Sequence, residues 1–254
     1  MSAAPLAILS ALAEEQQGLR ERLDRLERVE RAGRVFWRGL LHGQPVVLAL
    51  SRIGKVAAAT TATTLIEAFG AQRLVFTGVA GGVGPGVAVG DVVVATEFVQ
   101  HDMDASPLFP RFHVPLYGRE RFACDAALTA KLAWATQAGL AQLAGVMPGP
   151  GERNQRLHQG LVASGDRFVS AAAEAAALHA ALHDAGHPTL AVEMEGAAVA
   201  QVCHDYGIPF AAMRTISDRA DDTAHIDFPQ FVTDVASRYA LAIIDEFVRA
   251  LPAR

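Results

Sequence analysis

Five acidic side chains in this sequence directly follow apolar segments, and together they could carry out acid–base chemistry. They are Glu14, Glu15, Glu193, Glu195 and Asp218. One carboxylate can bind two vicinal hydroxyls, a second can deprotonate water, and a third can protonate a leaving group. Glycosidases use two carboxyl groups in this way, around an oxocarbenium-like transition state. The residue types therefore suggest hydrolysis of an N-glycosidic bond.

A glycine-rich stretch and an aromatic residue accompany these acids. Residues 78–82 (GVAGG) follow a predicted strand, so their backbone is placed to contact a ligand, and Phe168 follows another predicted strand. Any single acid could instead cap a helix, since Asp and Glu favour helix N-termini. The whole set at one sheet edge favours a site, and the scarcity of cations there opposes a phosphate or carboxylate substrate.

The elements that must position these residues alternate between short apolar runs and helical patterns. Predicted strands cover residues 6–10, 34–41, 45–51, 73–77, 91–96, 157–164, 189–192 and 209–216, and predicted helices cover 14–31, 54–70, 125–138, 170–185, 195–206 and 227–251. This alternation predicts an α/β fold: a single domain over residues 1–254, with a mixed, mostly parallel central sheet in a three-layer αβα sandwich. Ligands of such sheets bind beyond the carboxyl ends of the strands.

Composition narrows the class of protein. The 254 residues are 51% hydrophobic and 19% charged, which excludes a disordered chain, and the net charge of −5 argues against nucleic-acid and anionic-membrane partners. Cys124 and Cys203 are too few for a disulfide framework and are expected to be reduced core thiols. No basic segment precedes the apolar run at 6–13, so we expect an unprocessed, cytoplasmic protein. Residues 147–154 (MPGPGERN) are expected to form a surface insertion.

No metal or organic cofactor is expected. His179 and His183 are four residues apart on a predicted helix, but the glutamate of a zinc motif is missing between them. His101 lies in an acidic stretch (HDMD) that is more typical of a solvated loop than of a cation site. The sequence contains neither a phosphate-binding P-loop around Lys55 nor a GxGxxG dinucleotide motif at 78–86.

Eight short motifs, in order along residues 11–218, resemble those of bacterial 5′-methylthioadenosine/S-adenosylhomocysteine nucleosidases, within the purine nucleoside phosphorylase-like superfamily. Those that carry the resemblance are ALAEE (11–15), SRIGKVAA (51–58), TGVAGG (77–82), VGDVVV (89–94), HDMD (101–104), SGDRF (164–168), VEMEGA (192–197) and RTISD (214–218). The last two are the most specific. The resemblance implies a nucleoside phosphorylase/hydrolase-like fold that acts without a cofactor on a small-molecule nucleoside and a catalytic water.

The resemblance also implies a role for individual residues. Glu15 would activate the attacking water and Asp218 would protonate adenine N7. Substrate-binding residues would be Glu195 and Met194 at the ribose, Phe168 and Val169 at the purine, Ser217 orienting Asp218, Arg214 near the water, Ile53 at the 5′ group, and also Glu193, Val79 and Gly81. A homodimer is implied, in which residues 101–118 reach the partner's site.

Two differences from related sequences, one from the nucleosidases and one from the phosphorylases, bear on the alternatives that remain open. Family members commonly have serine where this chain has Val79, so the positioning of the water is in question. Phosphorylases of this fold resemble RVGSCG at the glycine-rich stretch, where this chain has Phe76 and Val79 in place of the arginine and the serine. Without that cation and hydroxyl, phosphate binding is disfavoured. The alternatives are a phosphate-dependent phosphorylase, a futalosine-type nucleosidase and a nucleoside-binding protein without turnover.

Overall fold

The computed structural model describes residues 4–144, 155–220 and 231–252, apart from the side chains of residues 233 and 234. Its strands are β1 (Leu6–Ser10), β2 (Asp24–Arg31), β3 (Arg34–Leu41), β4 (Gln44–Leu50), β5 (Arg73–Gly82), β6 (Val92–Gln100), β7 (Arg121–Ala123), β8 (Leu157–Ser164), β9 (Thr189–Glu193) and β10 (Phe210–Asp218). Its α-helices are α1 (Lys55–Phe69), α2 (Ala126–Leu143), α3 (Ala172–Asp184), α4 (Gly196–Tyr206) and α5 (Ser237–Arg249). A π-helical turn at Val232–Ala236 leads into α5.

The strands form one mixed sheet that closes on itself at one end. In the described residues the order is β10-β6-β8-β9-β5-β1-β4-β3-β2, and β10 also pairs with β5. Strands β1, β4, β5 and β10 are joined by parallel pairs, whereas β5 meets β9 antiparallel and β10 meets β6 antiparallel. The result is a closed ring of β5, β10, β6, β8 and β9, with β1, β4, β3 and β2 as an open extension.

Helices cover both faces of the sheet, which confirms the predicted three-layer α/β fold. On β1, Ala7 and Leu9 pack in the cluster that includes α1 and α4, whereas Leu6 and Ile8 pack in the cluster that includes α2 and α5. Every residue of β1 is buried. A strand buried on both faces is therefore apolar throughout, which explains why β1 reads as a continuous apolar run.

The helix predicted over residues 14–31 is wrong. The structure has two short 3-10 turns, at Glu14–Gln16 and Arg20–Arg22, followed by the edge strand β2. Leu19 and Leu23 are buried, but Leu26, the third leucine of the predicted helical face, is 46% exposed. An edge strand that faces water lacks an apolar alternation, so only its pairing with β3 reveals it.

Other boundaries shift by smaller amounts. The glycine-rich stretch 78–82, expected as a loop, is the end of β5, and β7 was not predicted. Of the closing helix, α5 is observed, while its predicted cap at Asp227 and the predicted insertion at 147–154 lie outside the described residues. Within the described part of the chain, no helix is long and apolar enough to cross a membrane.

Candidate active site

A cavity of about 420 Å³ opens where the carboxyl ends of several strands meet. The ring topology brings these ends together: Gly81 of β5 pairs with Val192 of β9 and with Asp218 of β10, and Ser164 of β8 pairs with Glu193. Ten of the predicted site residues line this cavity, namely Glu15, Ile53, Val79, Gly81, Phe168, Val169, Glu193, Met194, Glu195 and Asp218.

Glu15 lies on one wall and is almost completely buried, at 1% exposure. Its Oε2 accepts hydrogen bonds from the backbone N–H groups of Ala11 (2.7 Å) and Leu12 (2.9 Å), and its Oε1 accepts one from Val79 (3.1 Å). Burial raises the pKa of Glu15, while the backbone hydrogen bonds and the Arg214 charge oppose that rise. A buried carboxylate with a raised pKa is a stronger base than an exposed one.

Asp218 ends β10 and is also buried. Its Oδ2 accepts a hydrogen bond from the Ser217 hydroxyl (2.7 Å), and its Oδ1 accepts one from the backbone N–H of Ala220 (2.7 Å). A Cβ atom at Gly81 would come within 3.0 Å of Asp218 Oδ1 and within 2.9 Å of the Ala220 Cβ. Glycine at 81 therefore leaves the space in which this carboxyl group sits.

Glu195 precedes helix α4 and is 6% exposed. The backbone N–H of Gly54 donates to its Oε1 over 2.8 Å, which ties the start of α1 to the cavity. Burial, and next the neighbouring Glu193 charge, raise the pKa of Glu195 to about 8.

Glu193 reaches the cavity wall, but its carboxylate is held by an internal network. Its Oε2 accepts hydrogen bonds from Arg214 Nη2 (2.7 Å) and Nε (3.2 Å), and the Ser164 hydroxyl donates to its Oε1. The Gly196 backbone N–H adds a further bond at 2.9 Å. The carboxylate thus helps to fix the turn that leads into α4.

Apolar groups complete the cavity. Phe168 (43% exposed) and Ile53 (59% exposed) stand at its mouth, whereas Val169 is buried and Met194 half-buried. A half-exposed aromatic ring at a cavity mouth offers a face on which a planar ligand can stack. Among the described residues, no group of three metal-ligating side chains occurs.

Arg214 and Ser217, also predicted as site residues, lie behind the cavity wall rather than on it. The Arg214 guanidinium is 4.1 Å from the centre of the Phe76 ring. The Ser217 hydroxyl contacts two residues of the wall, the Asp218 carboxylate (2.7 Å) and the Ala80 carbonyl (3.4 Å). Sequence reasoning missed five further lining residues, which are Ala11, Leu12, Ala80, Arg167 and Val192. Each lies within one of the motifs that carry the family resemblance, so membership of a motif was the available signal.

The cysteines behave as core thiols. Cys203 is buried and Cys124 half-buried, and neither forms a disulfide. Burial raises the pKa of Cys124 to about 12 and that of Cys203 as well, so both remain protonated at neutral pH.

The fold and the cavity define a nucleoside-cleaving class of enzyme. The chain belongs to the phosphorylase superfamily, whose family description matches residues 5–249. A Bacillus cereus 5′-methylthioadenosine/S-adenosylhomocysteine nucleosidase is 35% identical over 244 residues, covering 95% of this chain and 98% of the relative. Within the superfamily the chain therefore belongs to these nucleosidases, which are N-glycosyl hydrolases, as the sequence motifs predicted.

Solved structures show the same relationship. The nucleosidase from Neisseria meningitidis, in complex with methylthio-immucillin-A, superposes with a TM-score of 0.85 at 35% identity, covering 98% of this chain and 100% of that chain. The native futalosine hydrolase of Helicobacter pylori superposes with a TM-score of 0.82 at 33% identity, covering 97% of this chain and 98% of that chain.

Proposed function

We propose that this protein hydrolyses the N-glycosidic bond of 5′-thio-substituted adenosines, such as 5′-methylthioadenosine and S-adenosylhomocysteine, and releases adenine. The observation that carries the proposal is the presence of two buried carboxyl groups, Glu15 and Asp218, on the walls of one cavity that also contains Glu195. The names of the relatives support this substrate class.

In the proposed reaction, Glu15 takes a proton from water and the resulting hydroxide attacks C1′ of the ribose. The bond between C1′ and N9 breaks, and its electron pair goes to the adenine. Asp218 donates a proton to N7, so that adenine leaves as a neutral base rather than an anion. Each proton transfer of this kind contributes about 10²–10⁴-fold to the rate.

The remaining residues bind and orient the nucleoside. Glu195 holds the 2′ and 3′ hydroxyls, while Met194 packs on the ribose. Phe168 stacks on the purine and the Val169 backbone bonds its edge. Ile53 lines the pocket for the 5′ substituent, Val79 and Gly81 form the wall between Glu15 and Asp218, and Ser217 orients Asp218. Glu193 and Arg214 act through the turn they hold rather than by touching the substrate.

Water is favoured over phosphate as the nucleophile. Of the residues that the structure describes, Arg167 is the only cationic one that lines the cavity, and its Nε lies 2.7 Å from the carboxylate of Glu174, with the side chain 73% exposed. Arg214 is neutralised by Glu193. The Glu15 carboxylate would also repel a phosphate ion at the position of the nucleophile.

A futalosine-type nucleosidase is the second candidate, because a futalosine hydrolase is among the structural neighbours. It would share the catalytic acids and differ at the 5′ end of the cavity.

We further propose that the chain acts as one domain and as a homodimer in the cytoplasm. Leu108 (84% exposed) and Leu116 (93% exposed) support an interface, since both lie in the 101–118 segment that the resemblance assigns to the partner's site.

Adenine release from 5′-methylthioadenosine in phosphate-free buffer tests the proposal. Wild type should release adenine, and Glu15→Gln and Asp218→Asn should each lose nearly all turnover while remaining folded. Glu30→Gln and Asp184→Asn make the same chemical changes at exposed positions and should retain activity. Near-wild-type turnover in either active-site variant would overturn its assigned role.

Other outcomes separate the alternatives. Turnover that requires phosphate would identify a phosphorylase, and cleavage of futalosine in preference to methylthioadenosine would identify the second candidate. Binding of adenosine analogues without adenine release would identify a sensor.

A further inference from the structure

A second cavity, of about 530 Å³, adjoins the nucleoside cavity, and we call it the arginine groove. The side chains that characterise it are Glu14, Arg20, Glu21, Arg34, Trp37 and Arg52. The two cavities share a wall formed by two short segments. Leu12 and Ile53 line the nucleoside cavity, and their chain neighbours Ala13 and Arg52 line the arginine groove. Successive Cα atoms are only about 3.8 Å apart, so the cavities lie close together at this wall.

The groove carries positive charge that no carboxylate in the described part of the chain neutralises. Arg20 pairs with Glu21 at 2.9 Å and lies 5.1 Å from the Trp37 ring centre. Arg34 and Arg52, in contrast, bond only backbone carbonyls, and no described carboxylate lies within ion-pair distance of either. The Arg34 Nε is buried without a hydrogen-bond partner.

The two unpaired arginines also act on each other. Burial, and next the nearby Arg52 charge, lower the pKa of Arg34. An anion placed between two such cations would gain charge-assisted hydrogen bonds and relieve their repulsion. The backbone of Arg52 has a φ of +64°, a conformation that favours glycine, so an arginine here is retained at a conformational cost.

In the binding mode proposed above, the 5′ substituent points toward the wall that the groove shares with the nucleoside cavity. Glu195, the proposed ligand of the ribose hydroxyls, accepts a hydrogen bond from Gly54, which places the sugar next to residues 53 and 54. Ile53 is 59% exposed at the rim. A substituent longer than methylthio would pass Ile53 and reach the shared wall, beyond which lies Arg52.

Resting on the proposed function, we infer that the arginine groove binds the α-carboxylate of an amino-acid-bearing 5′-thio substituent, the homocysteinyl group, with Arg52 as the specificity-determining residue. The Glu14 carboxylate, on the same groove, faces the accompanying α-ammonium group. Among the described residues that line the nucleoside cavity, none is an unpaired cation, so the groove supplies the charge that this substituent needs. Methylthioadenosine has no such group and gains nothing from the groove.

Arg52→Gly tests the inference, because glycine suits the backbone at this position and removes only the side chain. We expect kcat/KM for S-adenosylhomocysteine to fall about tenfold, mainly through KM, as for the loss of a partly exposed charged hydrogen bond. The value for methylthioadenosine should stay within about twofold. An analogue with a 3-aminopropylthio group, which lacks the carboxylate, should also be unaffected by the substitution.

Arg25→Gly is the matched control. Arg25 is an exposed arginine that also has a positive φ, of +54°, and it lies outside both cavities. This variant should leave the ratio of kcat/KM for S-adenosylhomocysteine to kcat/KM for methylthioadenosine unchanged. An unchanged ratio in Arg52→Gly, or a parallel loss on all three substrates, would overturn the inference.

Calorimetric binding of S-adenosylhomocysteine to Asp218→Asn, which should not turn it over, separates this inference from the proposed hydrolysis. If Asp218→Asn binds this nucleoside more tightly than Asp218→Asn/Arg52→Gly, the inference holds even if wild type releases no adenine. Equal affinity of the two variants overturns the inference, whether or not wild type releases adenine.

Discussion

Arg214 Nη2 lies 2.7 Å from Glu193 Oε2, and both side chains are almost fully buried, at 2% and 3% exposure. The pair joins β10 to the end of β9 beneath the candidate active site. Desolvation of two charges is costly, and the remaining hydrogen bonds of Glu193, from Ser164 and Gly196, offset part of that cost. The pair therefore acts as a structural support for the turn that carries Glu195.

Removal of one partner of this buried pair should destabilise the protein strongly. Arg214→Met leaves the Glu193 charge buried without its cation, and we expect a loss of about 3–5 kcal/mol in the free energy of unfolding, measured by urea titration. Arg28→Met, at an exposed pair with Glu30, should cost no more than about 1 kcal/mol. Similar losses in the two variants would contradict the structural role of Arg214.

Glu195 should make stability depend on pH. Its pKa rises from 4.5 to about 8 on folding, so the folded protein keeps a proton that the unfolded chain releases. The contribution of Glu195 to the free energy of unfolding is then greatest below about pH 4.5 and falls as the pH rises toward about 8. Glu195→Gln stays neutral, so its stability advantage over wild type should grow across this interval. If urea titrations show that the difference in the free energy of unfolding between Glu195→Gln and wild type stays constant with pH, the raised pKa of Glu195 is refuted.

Gly165 should not tolerate a side chain. A Cβ atom at Gly165 would lie 2.3 Å from Cε1 of His101, which is too close for any real contact. We expect Gly165→Ala to lose about 1–3 kcal/mol in the free energy of unfolding. KM for the nucleoside should also rise, because the segment leads into Phe168. Addition of His101→Ala removes the obstructing ring, so the double variant should recover part of the free energy of unfolding and part of the wild-type KM. If it recovers neither, the clash with His101 is not the cause.

Phe168 should affect binding without affecting stability. Its ring is 43% exposed, so Phe168→Leu removes little buried surface. Loss of stacking on the purine, worth about 0.5–1.5 kcal/mol, should raise KM several-fold while the thermal midpoint hardly changes. Trp134→Leu replaces an aromatic side chain, 53% exposed, that lies outside the nucleoside cavity, and its KM should equal that of wild type. An unchanged KM in Phe168→Leu would show that Phe168 does not stack on the purine.

Elements with strong local signals could be predicted from the sequence to within a residue or two. Helix α1 is flanked by Gly54 and by Gly70, whose φ of +67° is the left-handed C-terminal conformation that glycine favours. The β3–β4 hairpin turns at His42 and Gly43, as the pattern of apolar runs predicted. These elements are specified by residues close to them in the chain.

Elements that depend on distant partners could not be predicted in the same way. The β2 strand has no apolar face of its own, and it exists because it pairs with β3. The acids were expected to meet at the edge of a mainly parallel sheet. In the structure, β9 reaches β5 from the opposite direction, and the antiparallel pair of Gly81 with Val192 closes the ring.

The sequence by itself determined that Glu15, Glu195 and Asp218 would gather and in which family the chain belongs, because the motifs around them are local and specific. The expectation that Glu14 joins them was wrong, since Glu14 lines the neighbouring groove. Only the tertiary structure decided how two acids that are two residues apart divide their roles. Glu193 turns toward Arg214, 21 residues away, and is enclosed in hydrogen bonds, whereas Glu195 turns to Gly54, 141 residues away, and faces the cavity. Contacts over such separations come from strand pairing and burial of the whole sheet, which no local pattern encodes.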